Sequence, residues 1–319
     1  MCKLLLAATL TLAACAPTTS SAGSPSPPSA VAAASRAPLE LSFDDGFKRR
    51  PSPQTWRTTF KSAGAEPSSL SKRSLYGNRE RQVYFDPDFL GLGVDPFTVR
   101  NGKLIITARK MRARERRAVD GALRTLPLKL QKTALKDVRY ASGLLTTKDH
   151  FEQQYGYFEM RARWTHGKGL WPAFWLLPAN GAWPPEIDVV EALGHDSATV
   201  YQSIHSKADG KRVSKTRKAA PRGGTGRFHT YGVLWTEESV RFYIDGVESN
   251  QAPTPKDAHR PMYLLVNLAI GGHWPGDPGR RTRFPARMEI DHIRAWRFKD
   301  QASASLPSSE RNATMSKQP

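Results

Sequence analysis

Three carboxylates crowd one six-residue stretch, Glu186-Ile187-Asp188-Val189-Val190-Glu191. Successive side chains of a strand alternate faces, so Glu186 and Asp188 point the same way. On a regular strand Glu191 would point the other way. One extra residue, a β-bulge at Val189 or Val190, returns it to the face of the other two. The apolar residues then fill the opposite face, as a half-buried strand requires. With one residue absorbed, the glutamate Cα atoms stand roughly 13 Å apart along the strand. Side chains leaning together bring the carboxyl groups to about 5–6 Å, where one can attack a glycosidic carbon while the other protonates the leaving oxygen. Three carboxyl groups this close do not all ionise, so at least one pKa rises. Glu186 is then the nucleophile, Glu191 the acid/base, and Asp188 between them tunes both. The competing reading is an acidic strand edge or a metal-binding face.

An aromatic stretch, WPAFWLL, precedes these carboxylates. Alternation puts Trp171, Ala173 and Trp175 on one face, with Pro172, Phe174 and Leu176 on the other. Indoles offer flat faces to sugar rings, although the usual use of a Trp is to fill a core. Trp183 follows in a Pro-flanked loop and is left without a side. WPAFWLL followed by EIDVVE resembles glycoside hydrolase family 16 in its bulged, laminarinase-like form. That resemblance implies an all-β jelly-roll sandwich of the concanavalin A type with a concave substrate cleft. It also implies retaining cleavage of β-glycosidic bonds in polysaccharides, with Glu186 as nucleophile, Asp188 as helper and Glu191 as acid/base.

Further elements carry the same resemblance. Phe43 to Phe47, with Trp56 beyond, is similar to the Phe-Asp-Asp-Phe opening of family members. Asn78-Arg79-Glu80 is similar to their Asn-x-Glu element, which implies that Asn78 and Glu80 line the cleft; an ordinary polar loop is the alternative. Asn267, Gly271, Gly272 and Trp274 match Asn-Leu-Ala-x-Gly-Gly-x-Trp-Pro, with Trp274 as a distal sugar platform. His205, in VYQSIHS, falls where members carry a cleft histidine, and the resemblance draws it, Trp171 and Trp175 toward substrate. A lone histidine is otherwise more often structural. GLGVDPF (91–97) and WPPEIDVVE look most like the bacterial exopolysaccharide glycanases of the family. Laminarinases, mixed-linkage glucanases and transglycosylases are the neighbouring alternatives.

The remaining chain divides by composition. Residues 1–14 read as a lipoprotein signal peptide, with Lys3 before the apolar Leu4 to Ala14. Leu12-Ala13-Ala14-Cys15 resembles a bacterial lipobox, which implies lipidation at Cys15 and an outer-membrane or cell-surface location. A secreted or periplasmic protein is the alternative. Residues 15–38 read as a Pro/Ser/Ala-rich linker without structure, 39–299 as the catalytic domain, and 300–319 as a polar, disordered tail. Within the domain, short strands and turns predominate, including a hairpin at Asn101-Gly102. Tyr140 to Trp164 reads as two strands. Residues 109–139 hold eleven Lys/Arg against three acids and read as a long polar loop between strands, with a basic helix over RKMRARERR as the alternative. Residues 207–227 hold eight against one and read as solvated surface, or as a positive rim to the cleft. Glu289-Ile290-Asp291 repeats the acidic pair but lacks a third acid and should face solvent.

Composition bounds the function. The 319 residues carry a net charge of +19. That charge fits an acidic polymer as a partner, and it is the sole argument for nucleic acid, which is set aside. The other cysteine, Cys2, lies in the signal, so a mature chain has no internal disulfide. No apolar run reaches the length of a membrane span. No cofactor is required by the expected chemistry; a structural calcium, which some family members carry, is not readable, and no metal ligand set is assigned. The expectation is a monomeric, retaining endo-β-glycanase acting on β-1,3 and/or β-1,4 bonds of an extracellular polysaccharide. The rival from another class is a non-catalytic polysaccharide-binding lipoprotein, which would have no need of the three carboxylates.

Overall fold

A computed structural model describes residues 24–61 and 63–299. The signal peptide, Cys15 and the 300–319 tail lie outside the described residues. The strands, in order, are β1 (Leu39–Asp45), β2 (Gln82–Tyr84), β3 (Phe97–Arg100), β4 (Lys103–Lys110), β5 (Tyr140–Ser142), β6 (Leu144–Thr146), β7 (Gly156–Trp164) and β8 (Leu170–Pro178). After them come β9 (Glu186–Glu191), β10 (Val200–Ser206), β11 (Val213–Ala219), β12 (His229–Trp235), β13 (Ser239–Ile244), β14 (Val247–Pro253), β15 (Met262–Ile270) and β16 (Ala286–Phe298). Three α-helices accompany them among the described residues: α1 (Ser29–Ala34), α2 (Ala113–Thr125) and α3 (Leu128–Gln131).

The strands form two sheets packed as a jelly-roll sandwich. One has six strands in the order β11-β10-β9-β8-β15-β6. The other has ten and runs β14-β13-β12-β7-β16-β4-β5-β2, with β1 and β3 attached to β16 and β4. Alternating inward residues build the core between them. Phe174, Leu176, Ile187, Val190, Ile204, Leu264 and Val266 from the six-stranded sheet meet Ile106, Phe158, Met160, Tyr231, Val233, Met288 and Ile290 from the other. Burying each such side chain contributes about 1.5–3 kcal/mol. β15 is buried along its entire length. Its second face, Tyr263 and Leu265, packs under Phe60, Leu75 and Tyr84 from the chain before β3.

The all-β sandwich matches the sequence reading, but four local expectations do not hold. Residues 109–139 contain α2 and α3 instead of a loop. Val119, Ala122 and Leu126 are spaced to share one helical face, and they pack with Leu70, Val83, Phe85 and Phe89 in a separate small core. The density of positive charge masks that spacing. Glu115 steadies the start of α2, taking two hydrogen bonds of 2.7 Å from the Arg109 guanidinium and one from the Arg112 backbone N–H. Tyr140 to Trp164 holds three strands, because Gly143 separates β5 from β6. Two strands, β11 and β14, go beyond the sequence reading; both are polar edge strands lacking the apolar alternation that marks a strand with a buried face.

The fourth concerns the linker. Its described part, from Ser24, is a strap across the outer face of the ten-stranded sheet. Val31 of α1 is fully buried and packs in a cluster with Tyr157, Leu234, Tyr243 and Trp296. Trp296 Nε1 donates to Pro25 O at 3.1 Å. Low charge and abundant proline suggested a solvated tether, yet one valine over an aromatic patch is enough to seat the segment.

Candidate active site

The six-stranded sheet turns one face inward to the core and the other toward the site. β9 pairs with β8 on one side and β10 on the other, and both registers skip a residue. Ala173 faces Glu191, Phe174 faces Val190 and Trp175 faces Asp188, so Val189 is the extra residue. On β10, Tyr201 faces Glu191, Ser203 faces Asp188 and His205 faces Glu186. Val189 and Val190 both enter the core. The bulge therefore sits within the predicted pair and brings Glu186, Asp188 and Glu191 to one face.

Each carboxyl group has a named neighbour. Trp183 Nε1 donates a short hydrogen bond to Glu186 Oε2. His205 Nε2 lies 2.9 Å from Asp188 Oδ2, and its Nδ1 lies 2.7 Å from Ser214 Oγ. Trp171 Nε1 donates to Glu191 Oε1 at 2.9 Å. Burial raises the pKa of all three acids, because a charged carboxylate loses hydration there. Glu186 is pushed well above its ordinary value by burial and then by the charge of Asp188, with which it shares a hydrogen bond. Asp188 is likewise raised well above its ordinary value, by burial first and Glu191 second. Glu191 rises to about 8 through burial and the charge of Glu186, against the Trp171 N–H, which favours the charged form. Glu191 is therefore protonated at neutral pH, as a general acid needs. Asp188 lies between a histidine and Glu186 and can take up the proton that Glu186 gives up when it becomes a nucleophile.

The expected aromatic residues separate into two kinds. Trp171 is half-buried beside Glu191, and Trp274, 40% exposed, meets it edge-on at 5.7 Å between ring centres. Tyr201 also meets Trp274 edge-on, at 4.7 Å between ring centres. Trp175 does lie on the outer face, yet it is only 7% exposed, and its Nε1 donates to Asn267 Oδ1 at 2.8 Å. Asn267 in turn donates to Tyr84 Oη at 2.9 Å. Trp175 is thus part of the floor, packed with Tyr84 and Tyr263, and not an open platform.

Asn78 and Glu80 also part company. Asn78 is exposed, and its carbonyl accepts from the His273 N–H at 2.9 Å, joining this loop to the Trp274 segment. Glu80 is 2% exposed and accepts from Leu75 N–H, Asn78 Nδ2 and Gln82 Nε2. It anchors the loop from below instead of lining the groove, and burial lifts its pKa to about 7. Tyr201, Arg212 and Ser214 are site neighbours that the sequence did not mark, and Trp183, which it left without a side, joins them. The one available signal was Trp183, an aromatic three residues ahead of Glu186.

Glu289 and Asp291 lie on the other sheet, paired with Arg163 at 2.8 Å and Arg161 at 3.2 Å. Glu40 and Asp44 face Arg297 and Arg294, both at 2.7 Å. Among the described residues, metal-capable side chains gather in a group of three only at Glu186, Asp188 and His205. Within this trio Glu186 Oε2 accepts from Trp183 Nε1, and the His205 ring nitrogens meet Ser214 Oγ and Asp188 Oδ2.

Known proteins agree with this geometry. Residues 102–294 match the glycosyl hydrolases family 16. The endo-1,3-1,4-beta-glycanase ExsH of Rhizobium meliloti is 41% identical over 266 residues, covering 82% of this chain and 52% of that protein. EglC of the same organism, also an endo-1,3-1,4-beta-glycanase, is 42% identical over 224 residues, 70% of this chain and 44% of that protein. The chain thus spans about half the length of these two relatives. The laminarinase catalytic domain of Thermotoga maritima superimposes with a TM-score of 0.64 at 29% identity, over 81% of this chain and 98% of that one. The shared sandwich, the matched span and the bulged acidic strand agree: the chain belongs to glycosyl hydrolase family 16.

Proposed function

We propose that the protein is a retaining endo-β-glycanase that hydrolyses β-1,3 and/or β-1,4 bonds of a polysaccharide. The bulge at Val189 carries this reading, since it alone brings two glutamates and the intervening aspartate to one face. Glu191 protonates the glycosidic oxygen while Glu186 attacks the anomeric carbon and Asp188 takes up the proton released from Glu186. Water, deprotonated by Glu191, then releases the sugar from Glu186. Trp171 and Trp274 give an aromatic wall against which a sugar ring can stack. The names of ExsH and EglC favour mixed β-1,3 and β-1,4 linkages, and the laminarinase likeness favours β-1,3 alone.

Product sizing on a panel of β-glucans tests the reading. Wild-type protein should release a ladder of oligosaccharides, and Glu186→Gln or Glu191→Gln should lower turnover about 10²–10⁴-fold. Full activity in either variant would sink it. An acidic exopolysaccharide is the substrate that the positive charge favours, with Arg212 over Trp183 and Lys218 over Tyr201 at the groove. Salt should then slow turnover of acidic glucans more than neutral ones. We further propose export with a lipid anchor at Cys15 and action as a monomer, tested by mass spectrometry of membrane-extracted protein and by light scattering.

A further inference from the structure

The outer edge of the six-stranded sheet is β11, exposed along nearly its full length and rich in Lys and Arg. Charges on an open edge have an ordinary task, which is to keep it from pairing with another chain. Lys215 and Arg217 suit that task. The alternate residues meet different surroundings. Ser214, Thr216 and Lys218 lie opposite His205, Ser203 and Tyr201 of β10. Those three in turn oppose Glu186, Asp188 and Glu191.

Two contacts reach from this edge to the donors that touch the nucleophile and its helper. Ser214 Oγ lies 2.7 Å from His205 Nδ1, while His205 Nε2 lies 2.9 Å from Asp188 Oδ2. The Arg212 guanidinium, just before the strand, lies over the Trp183 ring, 5.3 Å from its centre, while Trp183 Nε1 donates to Glu186. We infer that β11 is a positioning strand for the reaction: Ser214 acting through His205, and Arg212 acting through Trp183, hold the donors to Asp188 and Glu186.

The hydrogen-bond inventory supports the first route. With the proton of the Glu186–Asp188 hydrogen bond on Glu186, Asp188 is ionised and only accepts, so His205 carries its own proton on Nε2. A neutral imidazole then has Nδ1 free to accept, and the Ser214 hydroxyl can donate to it. Without that hydroxyl, Nδ1 is free to take the proton, and Asp188 loses its donor for part of the time. The titratable groups against His205 are Glu186 and Asp188 on β9, while Arg212 and Lys218 lie over Trp183 and Tyr201. The second route is orientational. Trp183 is 54% exposed on a loop, and a guanidinium stacked on the ring limits its swing.

The inference rests on the proposed glycanase activity, so wild-type turnover of a β-glucan is measured first. Ser214→Ala should then lower kcat about tenfold with KM little changed and displace the pH profile. Ser214→Thr, which keeps the hydroxyl, should restore both. Arg212→Ala should lower kcat several-fold, whereas Lys215→Ser and Arg217→Ser, facing the other way, should leave activity intact. A wild-type profile in Ser214→Ala, no rescue by Thr, or equal losses in the two controls would overturn the inference. Nitrogen-15 spectra of the His205 ring give a readout independent of turnover. The wild type should show the Nε2–H tautomer and Ser214→Ala a mixture; identical spectra would also overturn it. Absence of wild-type turnover would instead count against the glycanase reading, leaving the ring spectra to judge β11.

Discussion

Glu191 sits where small changes in hydrogen bonding should be visible in rate. Its pKa of about 8 sets the upper limit of the pH range over which it can donate a proton. We expect kcat/KM to fall above about pH 8. Trp171→Phe removes the N–H that favours the charged carboxylate, so that alkaline limb should move to higher pH. A pH–rate profile of both proteins checks the sign, and a downward move would contradict it. Glu80 offers a stability counterpart. Its pKa rises from an ordinary 4.5 to about 7, so the folded state holds a proton that the unfolded chain releases. Its contribution is complete below pH 4.5 and is lost as pH rises through 7. Glu80→Gln, of the same shape but always neutral, should stabilise by on the order of 1–3 kcal/mol at about pH 8 and change little at about pH 4. Urea melts at the two pH values decide it.

The elements differ in how openly the sequence announced them. The uneven spacing of Glu186, Asp188 and Glu191 in an apolar run makes sense only on a bulged strand, so that strand was legible from the chain. β8 and β15 were legible as strands from their apolar runs, but the cover over their second faces was not. Trp175 shows where legibility stopped: alternation gives its face, but the loops that cover it come from distant sequence. The same holds for Trp183 and Ser214, whose partners are set by loop path and strand register. α2 was hidden under its own charge. Its start depends on Glu115, so Glu115→Ala should cost about 1–3 kcal/mol by releasing Arg109 and the Arg112 backbone N–H. Calorimetry should show the loss while the pH–rate profile stays in place, because α2 packs in its own core and not on β9.

Across the sandwich, the strap and the reacting groups occupy opposite sheets, and their energetics should separate accordingly. Val31→Ala removes two buried methyl groups and should lower stability by about 1–3 kcal/mol. kcat and KM should remain at wild-type values, since the strap packs on the sheet that does not carry β9. Guanidinium melts beside kinetics test this, and a matched fall in kcat would show that the two sheets communicate. The strap has a practical corollary as well. Trp296 Nε1 reaches Pro25 O, and Lys299 N–H reaches Pro38 O at 3.0 Å, so positions 24 and 299 are both held at the back of the sandwich. A resin bead, a scaffold subunit or a fused module attached at either position would meet the rear of the protein. Long polymers could still thread the front without obstruction.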